Sequence, residues 1–117
     1  MFQDLMVLRM DKTAKIRQLN DAFRTSFVGG QVMLTLGIRT KPDIEQTEIL
    51  ERVVNFNDFN KKNDPYGEHD MGCFDYHGEK IIWKIDYYDK NHEFLSDNPA
   101  DPALTNRVMT VMTADEY

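Results

Sequence analysis

The side chains able to do chemistry in this chain crowd into residues 63–89, which hold the only Trp, the only Cys, four of the five Tyr and two of the three His. His69, Asp70, Asp75, His77, Asp86, Asp89 and His92 are donors that would suit zinc, manganese or magnesium. No His-x-His or His-x-x-x-His pair is present, and a lone Cys cannot build a thiolate cluster, so no metal site and no cofactor is expected. Glu79 and Lys80 are adjacent at a turn tip, whereas the carboxylate arrangement of metal-dependent nucleases separates Glu and Lys by one residue. Cys73 lies between Gly72 and Phe74 in an apparent strand, where a thiol is usually a small apolar filler. Gly29-Gly30 has no following Lys-Ser/Thr and precedes a strand, so it is no phosphate loop.

Charge narrows the partner class. Residues 63–117 hold four Lys and Arg against twelve Asp and Glu, a net charge of −8, whereas residues 1–62 carry a net +2. An acidic surface repels phosphate backbones, so direct nucleic-acid binding is not expected, and the Tyr and Trp rings lack the basic groove of a stacking platform. The same acidity suits docking on a basic protein. Pro65 and Gly67 constrain a polar loop that ends in Glu68-His69-Asp70 at a strand start, and such loops beside a sheet often carry recognition.

These residues need a scaffold, and 117 residues are enough for one core. Asp11 or Thr13 can cap a helix whose Ile16, Leu19, Phe23 and Phe27 form one stripe, ending near Ser26 to Gly29. Val32, Leu34, Leu36 and Ile38 alternate with Gln31, Met33, Thr35, Gly37 and Arg39 as a half-buried strand. A second helix is expected over roughly Asp43 to Asp58, and Pro65 forbids helix beyond Asp64.

Gly78-Glu79 suits a type II′ hairpin turn, which would pair His77 with Lys80 and set Phe74 opposite Trp83, Tyr76 opposite Ile81 and Gly72 opposite Ile85 on a core face. The other face would then carry His69, Met71, Cys73, Asp75, Ile82, Lys84, Asp86 and Tyr88, with Asp75 and Lys84 as diagonal neighbours. Asp101 and Pro102 read as the start of a closing helix with Leu104, Val108, Val111 and Met112 as its stripe. The expected fold is therefore α+β, in the order α-β-α-β-β-α, with helices on one face of a three-stranded antiparallel sheet.

The string Asn63-Asp64-Pro65-Tyr66-Gly67-Glu68-His69-Asp70 is distinctive. With Gly72, Phe74, Gly78-Glu79, Trp83 to Asp89, Ala114 to Tyr117, and Ile16-Arg17 with Leu19-Asn20-Asp21, it resembles the uncharacterised bacterial family catalogued as domain of unknown function 3768. The resemblance covers about residues 13 to 117 and implies a product of plasmids, phages or other mobile elements, with no activity to carry over. Residues 1–9 fall outside it and are read as an N-terminal extension to a single domain over 10–117, with Met10 able to serve as a start.

Two function classes follow. One is a small acidic protein that binds and modulates a basic host protein, such as a restriction or CRISPR effector, by placing carboxylates where phosphates would sit; its contact candidates are Tyr66, Glu68, His69, Asp70, Asp75, Lys84, Asp86 and Tyr88. The other is a metal-dependent hydrolase using His69, Asp70, Asp75, Lys84 and Asp86. The binding class is favoured. A cytoplasmic location is expected from the single Cys and the absence of a long apolar run, with no membrane partner.

Overall fold

The computed structural model describes residues 11–117. The residue 1–9 extension and the boundary at Met10 lie outside the described residues. Helix α1, Lys12–Ser26, starts where the Asp11 carboxylate accepts the Ala14 amide at 2.7 Å, and it stops at Phe27 in the left-handed conformation. Strand β1, Gly30–Leu34, follows. It ends sooner than the alternation suggests, because Thr35 turns the chain into a short helix α2, Leu36–Arg39, that buries Ile38 completely.

Helix α3, Asp43–Val54, is also shorter than expected. The Arg24 guanidinium donates to the carbonyls of Val53, Val54 and Phe56, so a cation satisfies the orphan acceptors at the helix end and the chain leaves the helix there. Strands β2, Met71–Tyr76, and β3, Glu79–Tyr88, form the expected hairpin. The closing segment is a strand and not a helix: β4, Asn106–Thr113, inserts at the centre of a four-stranded sheet in the order β1-β4-β3-β2. It pairs parallel to β1 and antiparallel to β3, so the sheet is mixed instead of three-stranded and antiparallel. The α+β class holds.

The hairpin register differs from the expected one by an even step. Tyr76 pairs with Glu79, and His77-Gly78 make the turn with φ of 49° and 82°, the two positive values of a type I′ turn. Phe74 therefore faces Ile81, and Gly72 faces Trp83. A shift of two residues leaves every side chain on its face, so Gly72, Phe74, Tyr76, Ile81, Trp83 and Ile85 are all buried as expected. Volume explains the choice. A Cβ on Gly72 would lie 2.5 Å from Trp83 Nε1 and 2.8 Å from the Phe56 ring, so the glycine leaves the space that the indole fills. Phe23 of α1, Ile38 of α2, and Ile49 and Val53 of α3 pack on this face with Met109 and Val111.

At the C-terminus, Glu116 closes the fold. Its carboxylate accepts from the Thr35 hydroxyl, the Gly37 amide, and the Thr113 amide and hydroxyl, tying the β1–α2 turn to the end of β4. These hydrogen bonds hold its pKa down at about 2.

Two tests follow from this packing. Trp83, fully buried, should emit to the blue and resist quenching, and Trp83→Ala should cost about 3–5 kcal/mol. Gly72→Ala should cost about 1–3 kcal/mol by overpacking the notch, read as a lower denaturant midpoint; a neutral Gly72→Ala would refute the register. For Glu116 the folded pKa lies below the ordinary 4.5, so its stabilisation is complete above that value and is lost as pH falls towards about 2. Melting curves of the wild type should therefore fall more steeply over that interval than those of Glu116→Gln.

Candidate functional site

The loop from Asp64 to Asp70 is built as a rigid display. Asp64-Pro65-Tyr66-Gly67 is a turn closed by the Gly67 amide donating to the Asp64 carbonyl at 3.1 Å, with Pro after the first residue and Gly at the last. Helix α1 then holds the returning segment by its backbone. Arg17 Nη1 donates to the Gly67 carbonyl at 2.9 Å, and Asn20 Nδ2 donates to the Glu68 carbonyl at 3.0 Å. Asp64 accepts the His69 amide at 3.1 Å.

His69 locks the loop from the side. Its backbone is left-handed, with φ of 55°, which breaks the strand alternation and turns the ring towards α1. Nδ1 lies 2.9 Å from Asp21 Oδ1, Nε2 lies 3.5 Å from Asp64 Oδ2, and the ring stacks on Phe59 at 3.7 Å. His69 therefore does not join Met71 and Cys73 on the far face; it closes the edge of the core.

Beneath the loop runs a buried polar chain. Asn20, with no exposed surface, also donates to the Tyr87 hydroxyl at 2.8 Å and accepts from Arg107 Nε at 2.8 Å, while the Tyr87 hydroxyl donates to Asp70 Oδ2 at 3.1 Å. Burial first, and then the neighbouring Asp70 and Glu68 charges, push the Tyr87 phenol far up, so it stays a donor. The carboxyls are disfavoured as anions. Glu68 is raised by desolvation and by the Asp70 and Asp64 charges; Asp70 is raised by desolvation and by Asp64, against the Tyr87 bond.

The expected site residues divide into groups. Tyr66 stands at the loop tip, 78% exposed, with Glu68 and Asp70 on the same returning segment. Lys84 and Asp86 sit on the other face of β3 and pair with each other at 3.2 Å. Asp75 pairs across the hairpin with Lys80, four residues along β3 from Lys84, so the diagonal Asp75–Lys84 pair does not form. Tyr88 bridges to Leu95 in the β3–β4 connection. Among the described residues, no three His, Cys, Asp or Glu side chains are grouped so as to hold a metal ion, and no helix of the described residues is long and apolar enough to cross a membrane.

Asn20, Asp21, Asp64 and Arg107 were not among the expected site residues. Asn20 interrupts the apolar stripe between Ile16 and Phe23 and is buried with them, and Asp21 is its neighbour, but nothing in their spacing signals that they reach a loop nearly fifty positions away.

The match to a family model covers residues 34–116, with the description protein of unknown function (DUF3768). The chain belongs to this family. The matched span contains the whole Asp64–Asp70 loop, the sheet from the last residue of β1 to β4, and Glu116. No curated protein and no solved structure matches the chain.

Because burial and like charge raise Asp70, its ionised form weakens the fold at neutral pH. Asp70→Asn should retain an acceptor for Tyr87 and raise the melting temperature at pH 7. That gain should vanish as pH falls below 3.8, where the carboxyl is protonated in both the folded and unfolded chain. A melting temperature lowered at pH 7 would show that the carboxylate is there for stability.

Proposed function

We propose that this family member is a protein-binding module whose Asp64–Asp70 loop docks on a basic surface of a partner protein. The observation that carries the reading is the exposed Tyr66 on a loop whose backbone is pinned by Arg17, Asn20, Asp64 and His69. A free loop would lose entropy on docking; this one is already ordered, so its exposed aromatic can act as an anchor at small conformational cost.

Chemistry supports the choice of a basic partner. Glu68 and Asp70 are held where burial and mutual repulsion oppose their charge, so an arriving Arg or Lys gains more from them than from fully solvated carboxylates. Asp86 adds a carboxylate on the adjoining face of β3, although Lys84 partly neutralises it. The surplus of acid in residues 63–117 points the same way. A partner of this kind is a nucleic-acid-handling protein of the host, engaged where phosphate would bind; a restriction or CRISPR effector fits the mobile-element origin that the resemblance implies.

The test compares wild type with Tyr66→Ala and Glu68→Lys as baits in host lysate, after circular dichroism shows that all three are folded. A specific partner should be recovered by wild type and reduced by both variants. With that partner purified, association should slow as salt rises, because screening shortens charge steering, while Tyr66→Ala should mainly speed dissociation. Identical recovery by all three baits, or salt-independent association, would remove the support for this reading.

A further inference from the structure

A second concave site lies where α1 ends, β1 begins and the β3–β4 connection returns to the sheet. It is a cleft of about 470 Å³, in the size range of small-molecule sites. Its apolar wall includes Leu19, Val28 and Pro102. Its polar wall carries Lys90 and Arg107, and among the described residues no Asp or Glu lines it, in a chain where acids outnumber bases by 20 to 14.

Arg107 is the informative residue. Only 3% of it is exposed, yet its partners among the described residues are neutral: the Asn20 side-chain carbonyl, the Pro99 backbone carbonyl and the face of the Tyr87 ring at 5.3 Å. Among the described residues no carboxylate pairs with it. The other buried guanidinium, Arg24, has Asp21 at 3.2 Å. Lys90, which is exposed, has no carboxylate partner among the described residues either and donates to the Thr105 carbonyl and the Asn106 side chain. A buried cation without a counter-charge is unfavourable, and burial lowers the Arg107 pKa accordingly.

We infer that the cleft is a binding site for a small organic anion, whose carboxylate or phosphate head meets Arg107 and Lys90 and whose compact apolar body lies against Val28, Leu19 and Pro102. A bound oxyanion would supply the missing counter-charge to the guanidinium through charge-assisted hydrogen bonds. The wall is close-built at Gly30: a Cβ there would fall 2.6 Å from the Arg107 carbonyl oxygen and 2.7 Å from the Phe23 ring, so β1 approaches β4 closely beside the cleft.

The full chain titrated with benzoate, phenyl phosphate and benzyl alcohol, followed by amide NMR shifts, tests this inference. Benzoate or phenyl phosphate should produce saturable shifts at Gly29, Gly30, Gln31, Thr105 and Asn106, and which of the two binds more tightly identifies the head group. Lys90→Gln removes one exposed cation and leaves the core intact; it should weaken binding about tenfold, the equivalent of one lost charge-assisted contact. Three results would overturn the site: no saturable shift with either anion up to about 10 mM, equal shifts with uncharged benzyl alcohol, or undiminished binding by a folded Lys90→Gln.

Discussion

The Asn20 side chain is the joint on which helix, sheet and loop depend. Its amide donates to the Glu68 carbonyl and the Tyr87 hydroxyl, and its carbonyl accepts from Arg107, so one group joins α1, β3, β4 and the Asp64–Asp70 loop. An amide is the one uncharged side chain that both donates twice and accepts, which this position requires. Leu or Ala here would leave the buried Arg107 Nε and the Glu68 carbonyl without this partner at once. The apolar core sets where α1 packs, but this polar contact fixes the loop against it.

Trp83 sets the other constraint. The indole fills the notch at Gly72 and meets Phe56 edge-on at 5.5 Å, so the chain just beyond α3 packs against it. Phe59 follows, T-shaped to Phe56 at 5.1 Å and stacked under His69. The path from the core to the loop is therefore a continuous set of rings, with Arg24 lying 5.2 Å from the Trp83 ring and capping α3. Of the rings that suggest a stacking platform in the sequence, Trp83 belongs to this set, and Tyr87 supports the loop through its hydroxyl on Asp70.

What could be read from the sequence follows its local periodicities. The α1 stripe, the Asp11 cap and the two faces of the hairpin were legible because they rest on contacts close in sequence or on strict alternation. The turn was misplaced by one residue because His77, unlike Asn or Gly, is a weak signal for positive φ. Strand β4 was unreadable as a strand. Central in the sheet, it buries Val108 and Met112 on one face and Arg107, Met109 and Val111 on the other, so no alternation survives and the residual three-four spacing imitates a helix. The constrained Tyr66 loop was visible from Pro65 and Gly67, but its anchors on α1 were not, because long-range hydrogen bonds leave no period.

Charge distribution links the loop to the cleft. Arg24 and Arg107 are buried and donate largely to backbone carbonyls and to Asn20, so two of the chain's positive charges work inside the fold and leave the surface more acidic than the net charge of −6 suggests. The loop carboxylates Glu68 and Asp70 gain no Lys or Arg counter-ion from this arrangement among the described residues. Among the described residues, Arg107 is left with neutral acceptors. Pairing the buried guanidinium with a buried carboxylate would have neutralised both at little distance, since Tyr87 and Asn20 stand between Arg107 and Asp70. The fold instead keeps them apart with neutral hydrogen-bonding groups, which leaves one uncompensated anion facing the loop and one uncompensated cation facing the cleft. Such separation lowers stability, and it gives each surface a charge that an external ligand of opposite sign can satisfy.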